Sequence, residues 1–94
     1  LDSAGLAGIW YLNGDLDAES YIRFDDLGNW ELYQRQSGDA DGELTQSGTL
    51  SPSGMEPGTF YADADDGSIS YWMCWSETDE IIWGGGMDSY IRME

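Results

Sequence analysis

Carboxylates are the most abundant groups in this sequence with the potential for chemistry. Asp and Glu account for 19 of the 94 residues, against three Arg and no Lys or His. Two clusters bring acids close together, Asp25 with Asp26 and Glu77 with Asp79 and Glu80. A carboxylate pair can hydrolyse glycosides when one member has a raised pKa. Both clusters are predicted to lie at solvated turns, which do not raise a pKa, so we expect no enzymatic activity and rank a carboxylate-dependent hydrolase third.

A further acidic segment has the spacing of a calcium loop. Asp39, Asp41 and Glu43 place oxygen ligands at alternate positions, as the first half of such a loop does. The Glu that closes the loop is missing, because Gly48 occupies that position. Asp side chains also bond to nearby backbone N–H groups in ordinary turns. Calcium binding at these three residues is therefore a weaker interpretation than an ordinary turn, and we expect no other metal or cofactor.

The charge balance excludes several classes of protein. The formal net charge is −16, so neither nucleic acid nor an anionic membrane surface is an expected partner. The absence of His excludes a Ser-His-Asp triad and an imidazole zinc site. No apolar run is long enough to insert into a membrane. Cys74 is the single cysteine, so no intrachain disulfide forms, and we expect it to be a small buried strand residue.

Aromatic residues are the second group of candidates for a site. Tyr21, Tyr33, Tyr61 and Trp72 fall on strand faces that we predict to be polar. A stripe of exposed rings beside acids and amides is typical of a carbohydrate- or peptide-binding surface. The alternative is that these rings are covered and form a second core.

A third group of candidates surrounds a glycine-rich turn. Trp75, Trp83 and Met87 are predicted to crowd one end of the molecule beside Gly84–Gly86. Glycine lets a ligand or partner backbone approach closely. We therefore place the mouth of a binding site at that end.

The elements that must position these residues are short strands. Apolar and polar residues alternate between turn-forming residues, which is typical of an all-β fold, and no helical periodicity persists. Aliphatic residues are scarce, but five Trp and six Tyr supply apolar area for a core. We predict a single domain spanning 1–94, in which 1–6 form a loose lead-in. The predicted strands are 7–13, 19–25, 29–36, 43–50, 58–65, 68–75, 80–84 and 87–93.

Two hairpins can be predicted down to their register. The first turns at 26–28 with Gly28 in the left-handed conformation, and the second turns at Asp66-Gly67 as a type I′ turn, in which both residues have positive φ. The first pairs Phe24 with Trp30, Ile22 with Leu32, Tyr21 with Tyr33, Arg23 with Glu31 and Glu19 with Arg35. The second pairs Phe60 with Met73, Ala62 with Tyr71 and Tyr61 with Trp72.

Sequential hairpins produce an antiparallel up-and-down meander of about eight strands. An open sheet of this kind exposes two edges, and the chain has no Lys to protect them. Pairing the first strand with the last removes both edges. We therefore predict a closed or nearly closed barrel, and the alternatives are a strongly curved open sheet or a two-sheet sandwich.

Three motifs carry a resemblance to a known family. The first predicted strand contains Gly8-Ile9-Trp10, the last contains Tyr90-Ile91-Arg92-Met93, and residues 24–30 read Phe-Asp-Asp-Leu-Gly-Asn-Trp. In these features the chain resembles lipocalin-like (calycin) barrels, and in particular the small bacterial domains found in secreted proteins and lipoproteins. The resemblance implies that Arg92 packs across Trp10 as a structural latch, to which Gly8 of the Gly-x-Trp motif also belongs. It also implies an extracellular or cell-surface location.

The resemblance leads to a binding function. We expect a non-enzymatic extracellular binding or accessory domain for a small apolar or aromatic ligand or a protein partner. The alternative is a carbohydrate-binding module that uses exposed Tyr and Trp. The chain is shorter than usual lipocalins and lacks the helix that follows their barrel, so its five Trp could fill the interior. An open cavity inside the barrel would favour the binding of a small ligand. A filled interior with a flat aromatic face outside would favour the binding of a glycan or a protein partner.

Overall fold

Eight antiparallel strands, each hydrogen-bonded to the next, form a meander that closes into a barrel between the first and the last strand. The computed structural model describes residues 3–36, 42–55, 58–75, 79–84 and 88–93. A short 3₁₀ turn, Ser3–Leu6, precedes the barrel. The strands are β1 (Gly8–Leu12), β2 (Ser20–Phe24), β3 (Asn29–Gln34), β4 (Glu43–Pro52), β5 (Thr59–Ala64), β6 (Ser70–Trp75), β7 (Glu80–Trp83) and β8 (Asp88–Arg92).

Closure of the barrel confirms the predicted fold class. β1 pairs with β8 so that Trp10 lies opposite Arg92 and Leu12 lies opposite Tyr90. The strands therefore form neither the open sheet nor the sandwich that we considered as alternatives. Closure satisfies the backbone groups that two free edges would leave unpaired.

The first hairpin has the predicted register and turn. Phe24 lies opposite Trp30 and Tyr21 opposite Tyr33. Gly28 has a φ of 82°, the left-handed conformation that the three-residue loop requires. The Asp25 carboxylate accepts hydrogen bonds from the backbone N–H groups of Leu27 and Asn29, at 2.8 and 2.9 Å. The Asp25 side chain thus stabilises the loop that follows it.

The second hairpin has the predicted register but a different turn. Tyr61 lies opposite Trp72, as predicted. Gly67 has a φ of 74°, whereas Asp66 does not have a positive φ, so the type I′ prediction is wrong. The Asp66 carboxylate accepts a hydrogen bond from the Ser68 backbone N–H at 2.9 Å. Gly67 alone takes the left-handed conformation, and Asp66 avoids the steric cost that it would have there.

The two ends of the barrel are finished differently. The connections that follow β2, β4 and β6 lie at the end where the Ser3–Leu6 turn packs, and we call this the capped end. Leu6 is fully buried, and its carbonyl accepts a hydrogen bond from the Trp10 indole at 2.8 Å. The described part of the segment that we expected to be a loose lead-in, 3–6, is therefore packed against the barrel through Leu6. The connections that follow β1, β3, β5 and β7 lie at the other end, the open end.

Aromatic rings fill the barrel between its ends. Trp10 and Trp30 are fully buried and Trp83 is 4% exposed. Trp83 contacts Trp30 edge-on, with 5.4 Å between ring centroids, and Phe24 at 6.5 Å. Edge-to-face pairs of this kind contribute about 0.5–1.5 kcal/mol each beyond the area that they bury. The interior of these short strands is consequently a packed aromatic core.

Candidate functional site

A pocket of about 500 Å³ opens at the open end of the barrel, above this aromatic core. We call it the mouth pocket. Its lining includes the buried side chains of Leu32, Trp83 and Tyr90 and the half-buried Tyr71. Ligand pockets for small molecules typically measure about 300–1,000 Å³ and are lined by aromatic and apolar groups with a few polar ones. The mouth pocket falls within that description.

Strand alternation places the aromatic side chains of this lining. Tyr71 stands two residues before the buried Met73 on β6, and Trp83 stands two residues after the buried Ile81 on β7. Side chains two apart on a strand point to the same face, so both rings point inward. The Tyr71 and Trp83 ring centroids are 4.9 Å apart, and those of Trp83 and Tyr90 are 6.4 Å apart. The three rings therefore pack against one another, with Trp83 between the two tyrosines.

Hydrogen bonds hold these two tyrosines in place. The Ser20 and Tyr90 hydroxyls share a buried hydrogen bond of 2.8 Å, and the Tyr71 hydroxyl donates to the Gln46 side-chain oxygen at 2.5 Å. Burial raises the pKa of Tyr90, and the nearby Asp88 carboxylate adds to this effect. The Tyr90 phenol therefore stays neutral across the physiological range.

One carboxylate of the mouth pocket has no partner among the residues that the structure describes. Asp88 lines the pocket and stands two residues before Tyr90 on β8, so its side chain is directed to the inner side of the rim. It is exposed. Within the described ranges it forms no hydrogen bond or ion pair through its side chain. Its charge is available to a ligand.

The predicted group beside the glycine-rich turn is divided between the two ends. Trp83 lines the mouth pocket together with Gly84. Trp75 is the last residue of β6 and lies at the capped end, where a Cβ added to Gly5 would meet its ring at 2.8 Å. The prediction that Trp75 and Trp83 share one end is wrong, because β6 and β7 run in opposite directions. Met87 lies outside the described residues.

Tyr21 and Tyr33 form an outer stack instead of an open binding platform. Their rings are nearly parallel, at 10°, with centroids 5.0 Å apart, and Tyr11 extends the row at 5.5 Å from Tyr21. The Arg35 guanidinium lies 5.2 Å from the Tyr21 ring centroid and donates to the Ala18 carbonyl at 2.8 Å. The Tyr21 faces are therefore covered by neighbouring side chains.

Tyr61 and Trp72 lie on the outer surface of β5 and β6, separated from the tyrosine stack by β4. The four candidate rings therefore do not form a single stripe. Tyr61 is 38% exposed, and Trp72 is half-buried and lines the mouth pocket at its rim. Asp63, on the same outer face, accepts hydrogen bonds from Ser51 and Ser70 at 3.0 and 2.6 Å.

The latch residues meet at the capped end. The Arg92 guanidinium lies 4.8 Å from the Trp10 ring centroid, which is the contact implied by the resemblance. Arg92 also forms an ion pair with Asp79 at 2.6 Å and donates to the Gly5 carbonyl at 2.7 Å. Gly8 begins β1 beside these contacts. This side chain joins β8, β1, the 3₁₀ turn and the residue preceding β7.

Two predicted charge pairs of the first hairpin do not form as ion pairs. Arg23 and Glu31 lie opposite each other, yet in the part of the chain that the structure describes the one ion pair is Arg92–Asp79. Arg35 contacts Glu19 through the backbone, where its N–H donates to the Glu19 carbonyl at 2.8 Å. Its guanidinium is instead placed over aromatic rings and backbone carbonyls.

The described acidic candidates lie in turns or at the starts of strands, and Glu80, which begins β7, accepts a hydrogen bond from the Ser89 hydroxyl at 2.5 Å. Hydrogen bonds from the Asn29 backbone and side chain lower the pKa of Asp25, the opposite of what a general acid requires. Asp26 is exposed and Asp79 is paired with Arg92. Glu43 is exposed at the start of β4. Glu77, Asp39 and Asp41 lie outside the described residues, and no group of three metal-ligating side chains comes together within the described ranges.

Sequence reasoning missed several residues of the mouth pocket. The sequence pattern pairs Tyr71 with Ala62 but does not assign it to a site, nor does it assign Ser20, Asp88 or Tyr90 to one. Ser20, Tyr71 and Asp88 lie near strand ends, each on the same strand face as a buried residue two positions away. This spacing predicts an inward-facing side chain, but the pocket is recognised only when closure brings β2, β6, β7 and β8 around one opening.

Comparison with protein-family models, with curated proteins and with solved structures finds no match to this chain. None of the helical segments in the described residues has the length and apolar character needed to cross a bilayer.

Proposed function

We propose that this chain is a non-enzymatic binding domain that holds a small apolar or aromatic ligand in the mouth pocket. The observation that carries the proposal is the pocket of about 500 Å³ with Tyr71, Trp83 and Tyr90 as its inner surface. Rings fixed by hydrogen bonds and packing lose little freedom when a ligand stacks on them, which favours binding.

The packed core sets the size of this ligand. Trp30 and Trp83 occupy the space below the pocket, so no long chain can pass between the strands without moving them. A ligand of one or two rings rests at the mouth, in contact with Trp83 and with the apolar rim residue Ile69, which is 42% exposed.

We further propose that the domain is lipocalin-like and works outside the cell, as in secreted proteins and lipoproteins. The Gly-x-Trp of β1, the stacking of Arg92 on Trp10 and the closed eight-stranded meander support this relationship. Because Arg92 secures the first strand at the capped end, the open end is free to accept a ligand.

The test uses benzyl alcohol as a neutral aromatic probe. We expect it to shift the NMR signals of Tyr71 and of the Trp83 indole N–H, and to leave Trp75 at the capped end unchanged. The variant Tyr71→Leu should bind it about fivefold more weakly, because one ring contact is lost. Tyr61→Leu, on the outer surface, is the matched control and should bind normally. Unchanged Trp83 signals at saturating probe would contradict the proposal.

The second candidate is a carbohydrate-binding module on the outer surface. The exposed Tyr61 and the half-buried Trp72 lie beside Asp63, Ser51 and Ser70, a mixture of rings and polar groups that suits a sugar. This candidate predicts that soluble oligosaccharides shift Tyr61 and Trp72 but not Trp83. Tyr61→Leu would then abolish binding while Tyr71→Leu preserves it.

A further inference from the structure

We propose that the mouth pocket selects cationic ligands, and that its preferred ligand carries an ammonium group on a small aromatic or aliphatic body. This inference rests on the proposed function and specifies its ligand class. It depends on three independent features of the pocket, namely its rings, its free carboxylate and the positions of the three arginines.

The rings supply a surface that attracts cations. The faces of Trp and Tyr rings carry negative potential and bind a cation within about 6 Å of the ring centroid. Trp83 lies 4.9 Å from Tyr71 and 6.4 Å from Tyr90 between centroids. Tyr71 is half-buried, so an ammonium group at the mouth can approach its ring, against which Trp83 packs.

Asp88 supplies a full negative charge on the inner side of the rim. Several other described carboxylates are already bound within the protein. Asp25 and Asp66 accept hydrogen bonds within their turns, and Asp79 pairs with Arg92. Asp88 lines the pocket without such a bond among the described residues. A ligand cation is the partner that this arrangement can accept.

Among the described residues, which include all three arginines, no arginine lines the mouth pocket. Arg35 donates to backbone carbonyls and lies over the Tyr21 ring, and Arg92 secures the capped end. Arg23 lines a separate groove on the outside of the barrel with Asp25 and Glu31. A carboxylate or phosphate ligand would find no charged donor in the mouth pocket.

The surroundings of the mouth add to its negative potential. The β1–β2 and β5–β6 connections at the open end carry Asp15, Asp17, Asp65 and Asp66, and the whole chain has a net charge of −16. A cleft with charges of one sign raises the local concentration of opposite charges and speeds their association. Anionic apolar ligands such as fatty acids are repelled by the same field.

The experiment compares three probes that share a benzyl group and differ in charge, measured by calorimetry and by the Trp83 indole N–H signal. The probes are benzyltrimethylammonium, benzyl alcohol and phenylacetate. We expect the cation to bind about tenfold more tightly than the alcohol and phenylacetate to bind more weakly than either. Added salt should lower the affinity for the cation and leave the affinity for the alcohol nearly unchanged, because screening acts on pairs of charges.

Two matched variants assign the selectivity to the pocket. Asp88→Asn should lower the preference for the cation over the alcohol by about threefold to tenfold, because the charge that faces the cation is lost. Asp26→Asn removes the same charge from an exposed loop at the capped end and should leave the preference unchanged. Urea unfolding of both variants checks that the fold is intact.

The possible failures are distinguishable. If no probe of any charge moves the Trp83 signal, the proposed function itself fails. If the alcohol or phenylacetate binds at least as well as the cation, the pocket binds ligands but the inferred selectivity is wrong. If Asp88→Asn and Asp26→Asn change the preference equally, the selectivity belongs to the overall charge, and the role assigned to Asp88 is overturned.

Discussion

The capped and open ends of this barrel are made of the same alternating strands, yet their polar groups are used in opposite ways. At the capped end Arg92 is shared among Trp10, Asp79 and two backbone carbonyls. At the open end Asp88 has no partner among the described side chains, and Tyr71 is only half-buried. The comparison indicates that the capped end uses its charged groups to hold the barrel closed, whereas the open end leaves a carboxylate unpaired among the described residues.

The same division explains where the few positive charges lie. Arg35 is placed against the tyrosine stack and Arg92 against Trp10. Both guanidinium groups contact ring faces and backbone carbonyls, which suits a planar, weakly hydrated cation with several donors. Their positions leave the mouth pocket lined by neutral and acidic groups.

The strongest test of the comparison is the removal of one Trp from each end. Trp10→Ala should lower the free energy of unfolding by about 4 kcal/mol, because a fully buried ring is lost and its cavity remains. Trp72→Ala, a half-buried position at the rim, should cost about 1 kcal/mol. Urea unfolding followed by circular dichroism measures both. Equal losses would mean that the two ends contribute alike to stability.

A smaller effect is expected from the arginine at the capped end. Arg92→Leu should lower the free energy of unfolding by about 2 kcal/mol, since a cation–π contact and several charged hydrogen bonds are lost. Arg23→Leu is the control, because the Arg23 side chain is exposed and forms no ion pair within the described residues. It should change stability by less than about 0.5 kcal/mol. If Arg23→Leu lowers the free energy of unfolding as much as Arg92→Leu does, Arg92 has no special role as a latch.

The smallest effect concerns pH. As pH falls from about 8 toward 5, we expect the melting temperature to rise, because partial neutralisation of a chain of −16 reduces self-repulsion. The pKa of Asp25 is lowered below 3.8 by its Asn29 hydrogen bonds. Its contribution is present above the unfolded pKa and is lost as pH falls through the folded value.

The matching variant for this test is Asp25→Asn. It should show a smaller loss of melting temperature below about pH 4 than the unchanged protein, while Asp26→Asn should follow the unchanged protein. Identical acid profiles for all three proteins would show that the turn at the capped end does not depend on this carboxylate.

Local pattern was sufficient wherever neighbouring strands are joined by a short turn. The register of the first hairpin followed from a three-residue loop and from the aromatic pairs that it brings together, Phe24 with Trp30 and Tyr21 with Tyr33. The turn of the second hairpin was mispredicted because Asp-Gly is compatible with more than one geometry. The hydrogen bond from Ser68 to Asp66 selects the observed one.

The candidate site was less predictable for a different reason. Trp75 and Trp83 are close in sequence but lie at opposite ends, and Tyr71 and Tyr90 are distant in sequence but line one pocket. Side-chain pairing inside a barrel depends on tilt, closure and ring packing, none of which can be read from a single strand.

The all-β class, the order of the strands and two hairpin registers follow from local patterns, because turn residues and strand alternation act over a few neighbouring positions. Three further features arise from the folded barrel, in which Arg92 secures Trp10 beside a packed 3₁₀ turn, aromatic rings fill the interior, and Asp88 lines a pocket at the opposite end. These outcomes depend on which strands meet when the barrel closes, and closure joins residues that are far apart in the chain.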